Sequence, residues 1–237
     1  MIDLYYSPTP NGWKIAIMLE ECGLAYRPVL MDLPNGDQFK KSFLAINPNA
    51  KIPAIVDHAP QTGIGNAEVT PLSVFESGAI LRYLSAKTGL LTGDPTMAST
   101  DMDAWLFWQA SNLGPMAGQL SHFVNYAPEP MDYPLVRYRG EYERCIGVLE
   151  TRLAERDYIL GSYSIADIMT FPWIFIAKNL GVDLSVFPAV ARWRGAIKSR
   201  PAVQRAIDLH KNAQFTDTAN ADSAPRLFNQ TAGHLEQ

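Results

Sequence analysis

The chain has 237 residues, 47% of them hydrophobic, with 24 acidic against 20 basic side chains and a formal net charge of −4. That length suits one large domain or two small ones with a substantial core. The acidic balance and the absence of a long Lys/Arg cluster argue against a nucleic-acid or anionic-membrane partner. No apolar run approaches the roughly 20 residues needed to cross a bilayer.

Met1-Ile2-Asp3 enters a strand directly, so a cytoplasmic protein is expected. Periodicity predicts a strand over 2–6, a helix over 11–23, a strand over 26–31, a short helix around 38–46, strands near 53–57 and 71–74, and a helix over 76–87. The order is β-α-β-α-β-β-α. Ile15, Ala16, Leu19 and Cys22 mark the apolar face of the first helix, which Gly23 closes. The polar stretch 58–66 reads as an exposed loop between strands.

Residues 88–95 read as a linker in which Pro95 suits the first turn of the next helix. Helices are then expected over 95–120 with a kink at Gly114-Pro115, and over 134–155, 164–178, 188–199 and 201–210. The division is thus an α/β domain over 1–87, a linker, an all-α domain over 96–210 and a polar tail over 211–237. The tail is either disordered or docks through anchors such as Phe215, Leu227 and Phe228.

Three junctions carry chemistry. Thr9-Pro10-Asn11-Gly12 turns the first strand into a helix whose unpaired N–H groups and partial positive charge suit an anion. This turn holds no cysteine. Cys22 and Cys145 form no CxxC pair and read as reduced structural thiols, so any sulfur chemistry needs a borrowed sulfur. In Lys51-Ile52-Pro53-Ala54, a cis proline would turn the Ile52 backbone outward to pair with a peptide; an ordinary trans proline at a strand start is the alternative. At Phe75-Glu76-Ser77-Gly78, a helix start with a hydroxyl suits a carboxylate while Glu76 offers a charge to an amino group, or both residues simply favour a helix start.

Ser164-Ile165-Ala166-Asp167 has capping-box spacing and opens a helix whose Phe171, Trp173, Ile174 and Phe175 suit a core, so its role is structural. The four histidines, His58, His122, His210 and His234, lack metal-ligand spacing, and no metal site is expected.

Ser7-Pro8-Thr9-Pro10-Asn11-Gly12, Asn47-Pro48-Asn49 with Lys51-Ile52-Pro53-Ala54, Phe75-Glu76-Ser77-Gly78-Ala79-Ile80 and the capping box occur in the order found in cytosolic glutathione transferases. The Thr-Pro-Asn-Gly turn, with Trp108-Gln109 and Leu113-Gly114-Pro115-Met116, resembles the Nu class, which includes bacterial glutathione-dependent disulfide-bond oxidoreductases. The resemblance covers about residues 1–210. It implies a thioredoxin-like N-terminal domain, an all-α C-terminal domain, a homodimer, and cis Pro53. It further implies that Thr9 and Asn11 contact the glutathione sulfur, that the Ile52 backbone pairs with the cysteinyl amide, and that Glu76 and Ser77 hold the γ-glutamyl end. Gln38 and Lys51 would reach the peptide, and Arg137 would add charge from the partner domain or subunit. Trp13 stands where the family often has His or another polar residue.

Such donors would raise the thiolate fraction of a thiol whose unperturbed pKa is about 8.5. The leading expectation is reduction of small disulfides by bound glutathione, with organic hydroperoxides as a side activity. Conjugation to an electrophile is an alternative that needs an apolar second pocket; Trp105, Phe107, Trp108, Met116 and Phe123 would line one or pack as bundle core. A non-catalytic glutathione-binding regulator is the third reading.

Overall fold

A computed structural model gives the fold of residues 1–60, 70–211, 224–228 and 230–235. The chain divides into two units, Met1–Lys87 with Arg205–Gln237, and Thr88–Gln204.

In the first unit, β1 (Ile2–Tyr6), α1 (Pro10–Glu21) and β2 (Tyr26–Leu30) are followed by a 3-10 turn at Asp37–Phe39, α2 (Lys41–Leu44), β3 (Ala54–Asp57), β4 (Leu72–Phe75) and α3 (Ser77–Thr88). The four strands lie in the order β2-β1-β3-β4, with β1 parallel to β2 and antiparallel to β3, and β3 antiparallel to β4. This is the thioredoxin-like arrangement. Helix α1 is buried from Lys14 through Leu19. It lies inside the unit on more than the single face its apolar spacing predicts, which is why its mixed sequence still holds. The short helix expected around 38–46 breaks in two because Lys40 is extended, with φ −62° and ψ 136°. Much of the loop expected at 58–66 lies outside the described residues.

Register decides where the functional junctions fall. Tyr5 pairs with Ala54, which pairs with Phe75, while Tyr6 lies beside Leu30. The turn after β1, the chain before β3, the start of α3 and the exit of β2 therefore gather at one end of the sheet.

The second unit is helical: α4 (Ser99–Trp108), a π turn at Gln109–Leu113, α5 (Gly114–Asn125), α6 (Asp132–Leu153), α7 (Ile165–Phe175), α8 (Pro188–Lys198) and the start of α9 (Pro201–Asp208). The kink expected at Gly114-Pro115 takes the form of that π turn, since Pro115 cannot donate to the preceding turn. The capping box forms as expected. Asp167, fully buried, accepts Ile159 N at 3.0 Å and Trp193 Nε1 at 2.8 Å on one oxygen, and Ser164 N at 2.9 Å and Ser164 Oγ at 3.0 Å on the other. Burial pushes its carboxyl up to about 6 against the pull of those four donors. Glu150 on α6 accepts Ala189 N and Val190 N, which caps the first turn of α8.

Of the residues expected either in a second pocket or in the bundle core, none is fully buried, and Met116 and Phe123 are half-buried. Trp105 and Trp108 are half-buried and meet edge to face at 5.0 Å, Phe107 is exposed, and the core beside them is built from Met102, Leu106, Leu113, Ala117 and Leu120. Among the described residues no helix is long and apolar enough to cross a membrane.

Candidate functional site

The opening of α1 forms because Thr9 is extended, Pro10 needs no N–H partner at the first helical position, and the Thr9 hydroxyl accepts Gly12 N at 3.4 Å. The same hydroxyl lies 3.4 Å from Ser7 O, to which it donates. Thr9 is thus engaged as the helix cap, and Asn11 lies half-buried in the first turn. A Cβ on Gly12 would overlap the Ser7 carbonyl oxygen, so only glycine lets α1 sit this close to the β1 exit. Ser7 itself is buried and donates to Met31 O at 2.6 Å, which ties the turn to the end of β2.

The Ile52-Pro53 bond is cis. Buried Asn47 holds the loop before it, donating to Lys51 O at 2.6 Å and accepting Asn49 N at 2.9 Å. The resulting edge leaves Ile52 half-buried and Lys51 exposed.

Glu76 is exposed and left-handed at φ 67°, an uncommon conformation for a residue with a Cβ. The helix expected over 76–87 therefore begins one residue later, at Ser77, with the Glu76 carbonyl accepting Ile80 N at 2.9 Å. Ser77 is buried, and its Oγ accepts a hydrogen bond from the Lys14 ammonium at 3.4 Å. Lys14 is 2% exposed. Burial pushes its ammonium down to about 7, opposed by the Glu76 carboxylate.

Gln38 is buried on the 3-10 turn; its Nε2 donates to Arg226 O at 3.2 Å, while its Oε1 has no partner among the described residues. Lys51 Nζ donates to Gln230 Oε1 at 2.6 Å. Arg226 Nε donates in turn to Pro34 O at 2.7 Å, and the His234 ring lies 5.2 Å from that of Phe39. The described tail segments, including α10 (Ala224–Leu227), thus rest on the sheet unit. Arg226, Gln230 and His234 are among their contacts; of the expected anchors, Leu227 and Phe228 are half-buried and Phe215 lies outside the described residues.

Arg137 lies on α6 of the helical unit and is exposed. Cys22 caps the far end of α1, about 16 Å along the helix from Asn11 at roughly 1.5 Å per residue. Cys145 is fully buried in α6, and burial raises its thiol. A surface cleft of about 560 Å³ in the helical unit is lined by Lys178, Asp183 and Arg194 among others and contains none of the expected site residues.

Sequence reasoning missed Lys14, Arg226 and Gln230. The available signal for Lys14 was a single charge opening the otherwise apolar run Lys14-Ile15-Ala16-Ile17-Met18-Leu19. The tail contacts run partly through a backbone carbonyl and leave no sequence signal.

Residues 2–86 match the family model of the glutathione S-transferase N-terminal domain, and residues 116–196 match that of the C-terminal domain. The chain belongs to the glutathione transferase family. This glutathione transferase is 48% identical over 208 residues to the disulfide-bond oxidoreductase YfcG of Escherichia coli K12, covering 87% of the chain and 94% of that protein. It is 33% identical to the transcriptional regulator URE2 of Saccharomyces cerevisiae, over 84% of the chain and 65% of that protein. A glutathione transferase of Burkholderia graminis, solved with two glutathione molecules per subunit, superposes with a TM-score of 0.80 at 44% identity, covering 90% of this chain and 89% of that one. One from Pseudomonas putida, solved with a glutathione disulfide, superposes with a TM-score of 0.79 at 37% identity over 88% and 91%.

Proposed function

We propose that this glutathione transferase reduces small disulfides with bound glutathione as the source of sulfur. The observation that carries the reading is the convergence of two helix starts and the cis-Pro53 edge at one end of the sheet, with no cysteine in the α1 turn. The α1 start offers N–H groups and Asn11 to a thiolate; the Ile52 edge suits the peptide; Glu76, Ser77 and the α3 start suit an amino acid's amine and carboxylate. Thr9 supports the turn and shares the sulfur's surroundings. Gln38 Oε1 and Lys51 extend the binding set within the sheet unit.

The chemistry balances as two exchanges. Bound glutathione loses its thiol proton, and the thiolate attacks one sulfur of the disulfide; the S–S bond breaks and the leaving thiolate takes up a proton. A second glutathione thiolate then attacks the mixed disulfide, releasing the other substrate thiol and glutathione disulfide. Two glutathiones are oxidised and one disulfide is reduced. The 48% identity to YfcG, a disulfide-bond oxidoreductase, supports this assignment, and the same thiolate suits organic hydroperoxides as a side substrate.

We read the molecule as a cytosolic homodimer. Tyr133 and Val136, 79% and 73% exposed beside Arg137 on α6, support an unfilled contact face. Sedimentation equilibrium tests the assembly. The activity is tested by steady-state turnover of hydroxyethyl disulfide with glutathione, beside conjugation of chlorodinitrobenzene by the same preparation. Faster conjugation than disulfide reduction would turn the assignment to a conjugating enzyme, and binding of glutathione without either turnover would favour a regulator.

A further inference from the structure

We infer that the C-terminal segments 224–228 and 230–235 form an autoinhibitory strap, which holds Gln38 and Lys51 in hydrogen bonds of the kind a peptide makes and is displaced when glutathione binds. The inference rests on the proposed glutathione reading and adds to it a regulation of that site by the chain's own tail. Both segments and both residues belong to the sheet unit. The strap lies beyond residues 2–86 and 116–196, which match the family models. Arg226 Nε donates to Pro34 O at 2.7 Å, and a Cβ on Gly36 would lie 3.1 Å from the Arg226 side chain. Gln38 Nε2 donates to Arg226 O at 3.2 Å, the His234 ring lies 5.2 Å from that of Phe39, and Lys51 Nζ donates to Gln230 Oε1 at 2.6 Å. Gln230 Nε2 turns back to Arg226 O at 2.6 Å, so one carbonyl accepts from both glutamines.

The strap fits this seat imperfectly. A backbone carbonyl only accepts, so the bond to Arg226 O fixes Gln38 with its amide nitrogen toward the strap. Gln38 is 2% exposed, and its Oε1 is left with no partner among the described residues. A buried acceptor without a donor is unfavourable. A peptide brings N–H groups as well as carbonyl oxygens, and so has what both ends of Gln38 need where the strap serves one. At Lys51 the strap sets a neutral amide oxygen against an ammonium, a weaker acceptor than a peptide's terminal carboxylate.

The strap is also built to come away. Helix α10 has four residues and no buried one, and the 3-10 turn at Ala232–Leu235 likewise buries none. A helix this short is not stable by itself and depends on the surface it rests on. With Leu227 and Phe228 only half-buried, it belongs to the part of the molecule that opens at low cost.

The test uses the full-length chain and S-methylglutathione, whose blocked thiol keeps binding apart from turnover. In the strap the Phe228 amide is held by Ala224 O at 2.8 Å and the His234 amide by Thr231 O at 3.1 Å. Hydrogen exchange is expected to show both amides losing protection as the probe saturates the protein. An Arg226→Ala, Gln230→Ala double variant removes side-chain bonds of the strap and touches no residue of the proposed binding set. Apparent affinity falls with the fraction of molecules whose site is open, so a strap docked in about nine molecules of ten weakens binding about tenfold. Calorimetry is therefore expected to show the double variant binding the probe about tenfold more tightly, with its strap amides exchanging fast even without ligand. A tail that merely stabilises the fold would instead lower Tm and leave affinity unchanged. Equal or weaker binding by the folded variant, or strap amides that stay protected in the saturated wild-type chain, would overturn the strap. Failure of both proteins to bind S-methylglutathione would overturn the glutathione reading, and the strap's role with it.

Discussion

Helices α3 and α7 start with similar residue types, and their surroundings differ in sign. At α7 four donors close on Asp167, and the helix cap, the Trp193 indole and the Ile159 amide are all satisfied by one carboxylate of the same unit. At α3 the residue before the helix, Glu76, is exposed and left-handed, and Ser77 accepts from buried Lys14. A helix start whose donors are consumed internally holds the fold together. The α3 start, which the proposed function gives to a ligand, instead sets its Ser77 hydroxyl against a buried ammonium.

The sharpest way to break this comparison is Asp167→Ala, which strands four buried donors. We expect a loss of about 3–4 kcal/mol in urea unfolding. A loss under about 1 kcal/mol would show that the cluster is incidental to stability.

At the α1 start, the largest effect is expected on chemistry rather than folding. Asn11→Ala should lower kcat/KM for disulfide reduction by roughly ten- to hundredfold, as for one charge-assisted hydrogen bond, with little change in Tm. Thr9→Ala should do the reverse, costing about 1 kcal/mol of stability through the lost cap and less activity. Equal kinetic losses in the two variants would place both side chains on the sulfur.

Ser77→Ala and Glu76→Ala should raise KM for glutathione with kcat largely kept, because the γ-glutamyl end is held alike in ground and transition states. We expect about a tenfold rise for Ser77→Ala; a fall in kcat with KM unchanged would put this helix start at the reacting centre instead.

The smallest effect is expected where an ordinary redox protein would show the largest. A Cys22→Ser, Cys145→Ser double variant should keep most of its activity. Loss of disulfide reduction by a folded variant that still binds glutathione would make a protein thiol the nucleophile.

Much of this was legible in the sequence, for identifiable reasons. The strand and helix order of the sheet unit follows from apolar runs cut by Pro and Gly, and the α7 cap from its S-x-x-D spacing, since both are local. The α1 start was readable to one residue because Pro10 and Gly12 each do what only that residue type can do. Glu76 was not readable as left-handed: nothing local asks a glutamate to adopt φ 67°, and the surrounding packing imposes it. Lys14 was hidden for the same reason, since a lysine in an amphipathic pattern reads as solvated until the helix proves to be enclosed on that side too.

The contacts of the tail bear on any ligand that needs Gln38 Nε2 or Lys51 Nζ as a donor. Gln38 and Lys51 already give hydrogen bonds to Arg226 O and Gln230 Oε1, groups carried on the same chain. A tethered segment meets its site at an effective concentration that is commonly of order millimolar, whatever the protein's own dilution. A peptide needing those two donors therefore competes with a rival that cannot diffuse away. Its measured affinity reports the exchange of one set of bonds for another, and a chain ended after Lys211 would report the site's affinity for the peptide with that rival removed.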